Sequence, residues 1–238
     1  MRAAVTTVLK HPSGILLVVQ LIGVLLYPFM QQTAVGLVAF EAFGALVLTL
    51  AIWSVRDSAG RTSIAIGLGV LGSAMSITAA IVGSEGLLLA STIFHALFYF
   101  WAAGNLMVYM LHDNKVTTDE LFAVGATFTL GAWAFAYVFQ FVQALQPGCF
   151  TAAVNPEAQR SWVELLFLSF TNLSSTGLSD IVPITDPARA VVMIEQISGL
   201  GYVALFVSRL VGLTISRQMA PGTSDGPAAV RRRRPGRR

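Results

Sequence analysis

The sequence predicts an all-α membrane protein: a four-helix transmembrane bundle followed by an outer helix, a short re-entrant helix with a polar loop, and an inner helix. Three observations predict it. Hydrophobic residues make up 55% of the 238-residue chain and charged residues only 11%, with a mean hydropathy of +0.71. That is too apolar for a soluble domain of this size. Long apolar runs recur along the chain, each sufficient to cross a hydrocarbon core about 30 Å thick. Before the last of them, residues 172–183 read Asn-Leu-Ser-Ser-Thr-Gly-Leu-Ser-Asp-Ile-Val-Pro, a polar, Gly-containing stretch. Non-helical backbone at membrane depth persists only where it is buried in protein or lines a water-filled cavity.

Five runs, at about 14–30, 34–54, 62–82, 87–111 and 120–145, are long enough to span, and a sixth covers about 188–215. Arg2 and Lys10 precede the first run, and no small-x-small site follows Met30, so this run is expected to stay as a helix and not to be cleaved. Arg56 and Arg61 lie between the second and third runs, Lys115 between the fourth and fifth, and seven Arg follow Ser216. The opposite side receives Gln31-Gln32-Thr33, Gly83-Ser84-Glu85-Gly86 and the 146–187 region, with only Arg160 and Arg189 as basic residues. Positive residues mark the cytoplasmic side, so both termini are expected there, in a cell inner membrane. The polar loop His112 to Asp119 divides the chain into a four-span domain (1–111), a linker (112–119), a two-span module (120–215) and a tail (216–238). Asp119 and Glu120 suit a helix N-terminus, where the macrodipole favours anions. The tail is rich in Gly, Pro, Ala and Arg and is expected to be disordered. Its Arg231 to Arg238 segment attracts anionic lipid headgroups at about 1 kcal/mol per basic residue near the surface. Lacking a fold or interleaved aromatics, it is not read as a nucleic-acid site. The lone Cys149 cannot form an intrachain disulfide; it reads as a free loop thiol, an intersubunit bridge being the alternative.

Residues 160–173 hold a short amphipathic segment in which Ser161 stands three residues before Glu164, the spacing of a capping box. A helix of under about 15 residues suits a re-entrant element and not a crossing. The negative end of its dipole then points at whatever lies beyond Leu173, which favours a cation.

The segment Ser169-Phe-Thr-Asn-Leu-Ser-Ser-Thr-Gly-Leu-Ser-Asp-Ile-Val-Pro183 resembles the pore loop of the tetrameric potassium-channel superfamily, whose usual form ends Thr-Val-Gly-Tyr-Gly-Asp. Val116 to Asp119, Leu145 to Gly148, Ala188-Arg189, Ile194-Glu195 and Ala204 through Arg209 to Leu213 look like bacterial six-span members of that family. The resemblance covers about 116–215; for 1–111 it extends only to the four-span arrangement. It implies a homotetramer without a cofactor or enzymatic activity, passing K⁺, and with an altered filter also Na⁺, through rings of backbone carbonyls. Ser175, Thr176, Gly177, Leu178 and Ser179 occupy the filter positions, and Asp180 the acidic position at the outer mouth. Such a filter alternates in backbone handedness, which Gly permits. Ser179 replaces the second glycine, where a Cβ in the left-handed region costs roughly 1–2 kcal/mol. Leu178 replaces the tyrosine and loses its hydroxyl. A widened, weakly selective filter, a K⁺-selective one and a non-conducting pore all remain open. The competing classes are a regulatory scaffold and a transporter, the latter expected to show paired broken helices in repeated halves.

Asp180 implies either a fourfold acidic ring that concentrates cations or a cap on the filter backbone. Glu195, inside the last span, reads as a brace behind the pore helix near Thr171, Ser174 or Tyr202, or as a gating group. Gly199 matches the family's hinge position, and Gly201 is expected to serve close helix packing. The fourth span offers Ser91, Thr92, His95 and Asn105 but no regularly spaced Arg, so it carries no gating charge. Glu41 and His95 both fall roughly 10–12 Å from the outer surface at 1.5 Å per residue. They are either a proton-sensing pair or two separately satisfied polar groups.

Overall fold

The structure, a computed structural model, describes residues 11–30, 43–44, 46–47, 49–51, 53, 59–112 and 117–219. In chain order its elements are α1 (Pro12–Met30), α2 (Ala59–Val82), α3 (Glu85–Leu111), α4 (Thr118–Leu145), β1 (Phe150–Ala152), α5 (Trp162–Leu173), β2 (Ile181–Pro183) and α6 (Asp186–Met219). Among the described residues, four stretches are long and apolar enough to cross a membrane: Ser63–Val82, Glu85–Leu111, Thr118–Leu145 and Asp186–Gly212. The all-α membrane class is therefore as the sequence predicts. Most of the expected second span, including Glu41, lies outside the described residues, as do Lys115 in the linker and residues 220–238 of the tail.

Helix starts follow local chemistry. Gly83 takes φ +71° in the turn after α2. The Ser84 side chain then accepts the Leu87 amide at 3.4 Å to begin α3. Thr117 caps α4 by accepting the Glu120 amide at 3.2 Å, and Asp119 and Glu120 fill its first turn as expected. The two short strands have no counterpart in the sequence reading. Each is only three residues long, too brief for a readable alternation, and they pair antiparallel with Phe150 opposite Pro183 and Ala152 opposite Ile181.

The helix α4 is the centre of the fold, with α1, α3, α5 and α6 all packed on it. Alanines make this possible: Ala123, Ala126, Ala132, Ala134 and Ala136 are fully buried along its length. Gly125 faces Leu17 of α1 so closely that an added Cβ would lie 2.9 Å from the leucine methyl. Toward the other end of α4, aromatic rings take over. Trp162, the first residue of α5, packs against Tyr27 of α1 at 4.7 Å and against Trp133 and Tyr137 of α4 at 5.6 and 5.7 Å between centroids. The boundary at the linker is thus one of chain and not of packing, since α1 reaches the pore-side helix directly.

At the start of α4 two neighbouring acids hold other helices. The Asp119 carboxylate accepts the Ser13 backbone amide at 3.1 Å, the Ser13 hydroxyl at 2.8 Å and the Tyr109 hydroxyl at 3.2 Å. It thereby satisfies an amide in the first turn of α1, which has no intrahelical acceptor. Glu120 is buried and pairs with Arg209 of α6 at 3.7 Å. Asp119→Ala should lower thermal stability in detergent by about 1–3 kcal/mol, the cost of stranding these donors. Thr78→Ala, which removes only an exposed bond to the residue's own helix, serves as the unchanged control.

Candidate functional site

The capping box at α5 forms as the sequence predicts. The Ser161 hydroxyl accepts the Glu164 amide at 3.4 Å, and the Glu164 carboxylate accepts the Ser161 amide at 2.6 Å. Arg160, counted in the sequence only for topology, organises the loop before it. It is buried, and its guanidinium donates to the carbonyls of Asn155 (2.6 Å) and Ala158 and to Glu164 at 3.4 Å. Gln143 of α4 grips the Arg160 backbone from both sides, accepting its amide at 2.8 Å and donating to its carbonyl at 2.9 Å. The one signal for this in the sequence is the four-residue spacing of Arg160 and Glu164.

At 12 residues α5 is about 18 Å long, too short to cross. The loop after it folds back on the carbonyls that α5 leaves open. Ser175 donates its amide to Asn172 at 2.9 Å, while the amides of Thr176 and Gly177 both reach the Thr171 carbonyl at 3.0 Å. The Thr176 hydroxyl joins them at 3.2 Å. The helix end that the sequence aims at an ion is therefore partly consumed by its own loop.

Left-handed backbone occurs at Ser175 (φ +60°) and Gly177 (φ +64°), not at Ser179. The sequence reading places the conformational cost at Ser179; the structure moves it to Ser175, where the loop leaves the helix. Ser179 instead turns its hydroxyl to accept the Ile181 amide at 3.0 Å, which starts β2. Leu178 is 79% exposed on the single chain and Asp180, also exposed, directly precedes β2. Thr171, Asn172, Ser175 and Gly177 face Gln196, Ile197 and Leu200 of α6 across a hollow of about 360 Å³.

The β1–β2 pair anchors the loop's exit. Cys149, just before β1, accepts the Ile184 amide on its carbonyl at 2.9 Å and is wholly buried. Burial pushes its thiol pKa up. Cys149 is a free thiol in the loop before β1, as the sequence reading expects, and its burial disfavours the alternative of an intersubunit bridge.

On α6, Glu195 is fully buried and lies against Ser169, not against the three partners expected. Tyr202, one of those three, donates its hydroxyl to the Val124 carbonyl at 2.6 Å. A Cβ on Gly199 would collide with the backbone carbonyl of Leu173, so the residue read as a hinge has a packing requirement. Gly201, read as packing, faces open space. His95 is buried, with Nδ1 2.9 Å from the Ser91 carbonyl and its ring stacked on Tyr137 at 4.9 Å. Its suggested partner Glu41 lies outside the described residues.

An ion-channel family model matches residues 75–215, more than half of the chain. The chain belongs to this family, which carries a potassium-channel-like pore module of two helices about a pore loop. No curated protein and no solved structure matches it.

Two measurements check this geometry. Gly199→Ala should destabilise the protein by about 1–3 kcal/mol through the clash with Leu173 while Gly201→Ala stays near neutral, read by thermal unfolding. Cys149, buried and with its thiolate disfavoured, should resist maleimide at neutral pH in the folded protein and react on unfolding; fast labelling of the folded protein would contradict the buried position.

Proposed function

We propose that this ion channel is a homotetramer conducting monovalent cations passively along a central axis lined by Ser175 to Ser179, with K⁺ only weakly preferred over Na⁺. The observation that carries the reading is the backbone alternation. Positive φ occurs at Ser175 and Gly177 and not at Thr176, Leu178 or Ser179, the kind of alternating handedness that a carbonyl-lined filter uses. The alternation ends before Ser179, so the inner part of the filter keeps its carbonyl ligands and the outer part opens into a hydrated vestibule. Four copies are supported by the surface of α6. Ile194, Ile197 and Leu200 are 59–74% exposed beside a polar loop that lipid does not tolerate. Neighbouring copies cover both.

In this tetramer Asp180 forms an acidic ring that concentrates cations at the mouth. Gly201, free of contacts, gives α6 its point of bending, and Gly199 fixes the segment above it. Both termini face the cytoplasm, and the Arg-rich tail rests on anionic headgroups of the cell membrane. The fourth span, α3, carries no gating arginines, and α1 packs on the pore helix.

The deciding experiment places purified protein in liposomes under a K⁺ gradient and then a Na⁺ gradient. Flux of both ions is expected, with K⁺ modestly faster. Ser179→Gly combined with Leu178→Tyr should raise the K⁺ to Na⁺ flux ratio by roughly tenfold, about 1.4 kcal/mol, by letting the outer residues take the left-handed backbone that Ser179 does not adopt. A tetramer that passes neither ion would identify a non-conducting scaffold and sink the proposal.

A further inference from the structure

We infer that Glu195 is a neutral carboxylic acid that donates a hydrogen bond to the Ser169 hydroxyl, and that Ser169 in turn donates a hydrogen bond to the Ala132 carbonyl, clamping the pore helix between α6 and α4. The functional consequence rests on the channel reading above; the hydrogen-bond assignment does not.

The case begins with counting protons. The Ser169 side chain is completely buried, and its oxygen is within bonding distance of two others: a Glu195 carboxyl oxygen and the Ala132 carbonyl, the latter at 2.8 Å. A serine hydroxyl has one proton to give, and a backbone carbonyl has none. Were Glu195 ionised, Ser169 would face two acceptors with a single donor, and one contact would set bare oxygen against oxygen. With the carboxyl protonated, the chain closes. Glu195 donates to Ser169, Ser169 donates to Ala132, and every contact has its proton.

Burial points the same way. Glu195 is fully inaccessible, and its second oxygen, Oε2, has no hydrogen-bond donor. Among the described residues it forms no ion pair; the groups beside it are Ser169 and Asn172 from α5 and, through Ser169, Ala132 from α4. An isolated carboxylate in such a place is far more costly than the neutral acid. The Asn172 amide nitrogen is itself buried and unpaired, so a small rotation brings it onto Oε2, which a neutral acid leaves free to accept.

The position of this relay gives it consequence. Glu195 and Gly199, one turn apart on α6, hold Ser169 and Leu173, one turn apart on α5. Between those two lie Thr171 and Asn172, whose carbonyls receive the amides of Ser175, Thr176 and Gly177. Fixing that last turn of α5 fixes where the filter backbone starts. Ser169 is thus a positioning residue, distinct from the residues that line the path.

Infrared difference spectroscopy between wild-type protein and Glu195→Gln at neutral pH tests the protonation directly. A carbonyl band of a buried, protonated carboxyl, present in the wild type and missing in the variant, is expected; its absence from the wild type would overturn the inference. Flux in liposomes tests the clamp. Glu195→Gln, whose amide N–H can still donate to Ser169, should retain wild-type flux and ion preference within about twofold. Ser169→Ala and Glu195→Ala should each change the K⁺ to Na⁺ ratio by roughly tenfold, corresponding to loss of a buried hydrogen bond. Loss of function in Glu195→Gln equal to that in Glu195→Ala would overturn the clamp. A wild-type protein that shows the band but carries no ions would remove the channel reading and leave the proton assignment standing.

Discussion

Helix α5 stops after 12 residues, and the rest of the molecule is arranged around that ending. A helix terminus leaves its last carbonyls without intrahelical partners, and hydrocarbon supplies no water to satisfy them. Here the loop itself answers the need, with three successive amides returning to Thr171 and Asn172. With that solution Ser175 and Gly177 take left-handed conformations.

A loop held by so few bonds needs a rigid helix beneath it, and the structure provides one from both ends. At its start α5 is fixed by the reciprocal Ser161–Glu164 cap, by the Arg160 and Gln143 contacts, and by rings from α1 and α4 around Trp162. At its end it is fixed by α6, where Gly199 admits the Leu173 carbonyl and Glu195 meets Ser169. The central position of α4 connects these supports to the acids at its own first turn, so α1, α3 and α6 share one anchoring helix. Helices α1 and α3 thus share a packed core with the helices that follow the linker.

What was legible in the sequence follows from how local each cause is. Four of the six expected spans, the capping box and the filter-like motif all depend on residues within a few positions of one another, so composition and spacing reveal them. The partner of Glu195 depends on the rotation of α6 against α5, which no periodicity reports, and Ser169 therefore went unnoticed among the hydroxyls nearby. Gly199 and Gly201 show the same limit. Two glycines two residues apart point to different faces of a helix, and only the placement of Leu173 decides which is crowded and which faces open space. The strands β1 and β2 were hidden because three-residue segments leave no pattern, and with them the burial of Cys149.

The sequence by itself determined that this is an all-α membrane protein with a polar loop after a half-helix, and that this loop departs from its relatives at Leu178 and Ser179, because hydropathy and motif spacing are properties of the chain. Tertiary structure decided where the strained backbone sits, which glycine is packed, and which group Glu195 touches. Each of these depends on distances between helices remote in sequence, and those distances are set by how alanines and aromatic rings let α1, α3, α5 and α6 close on α4.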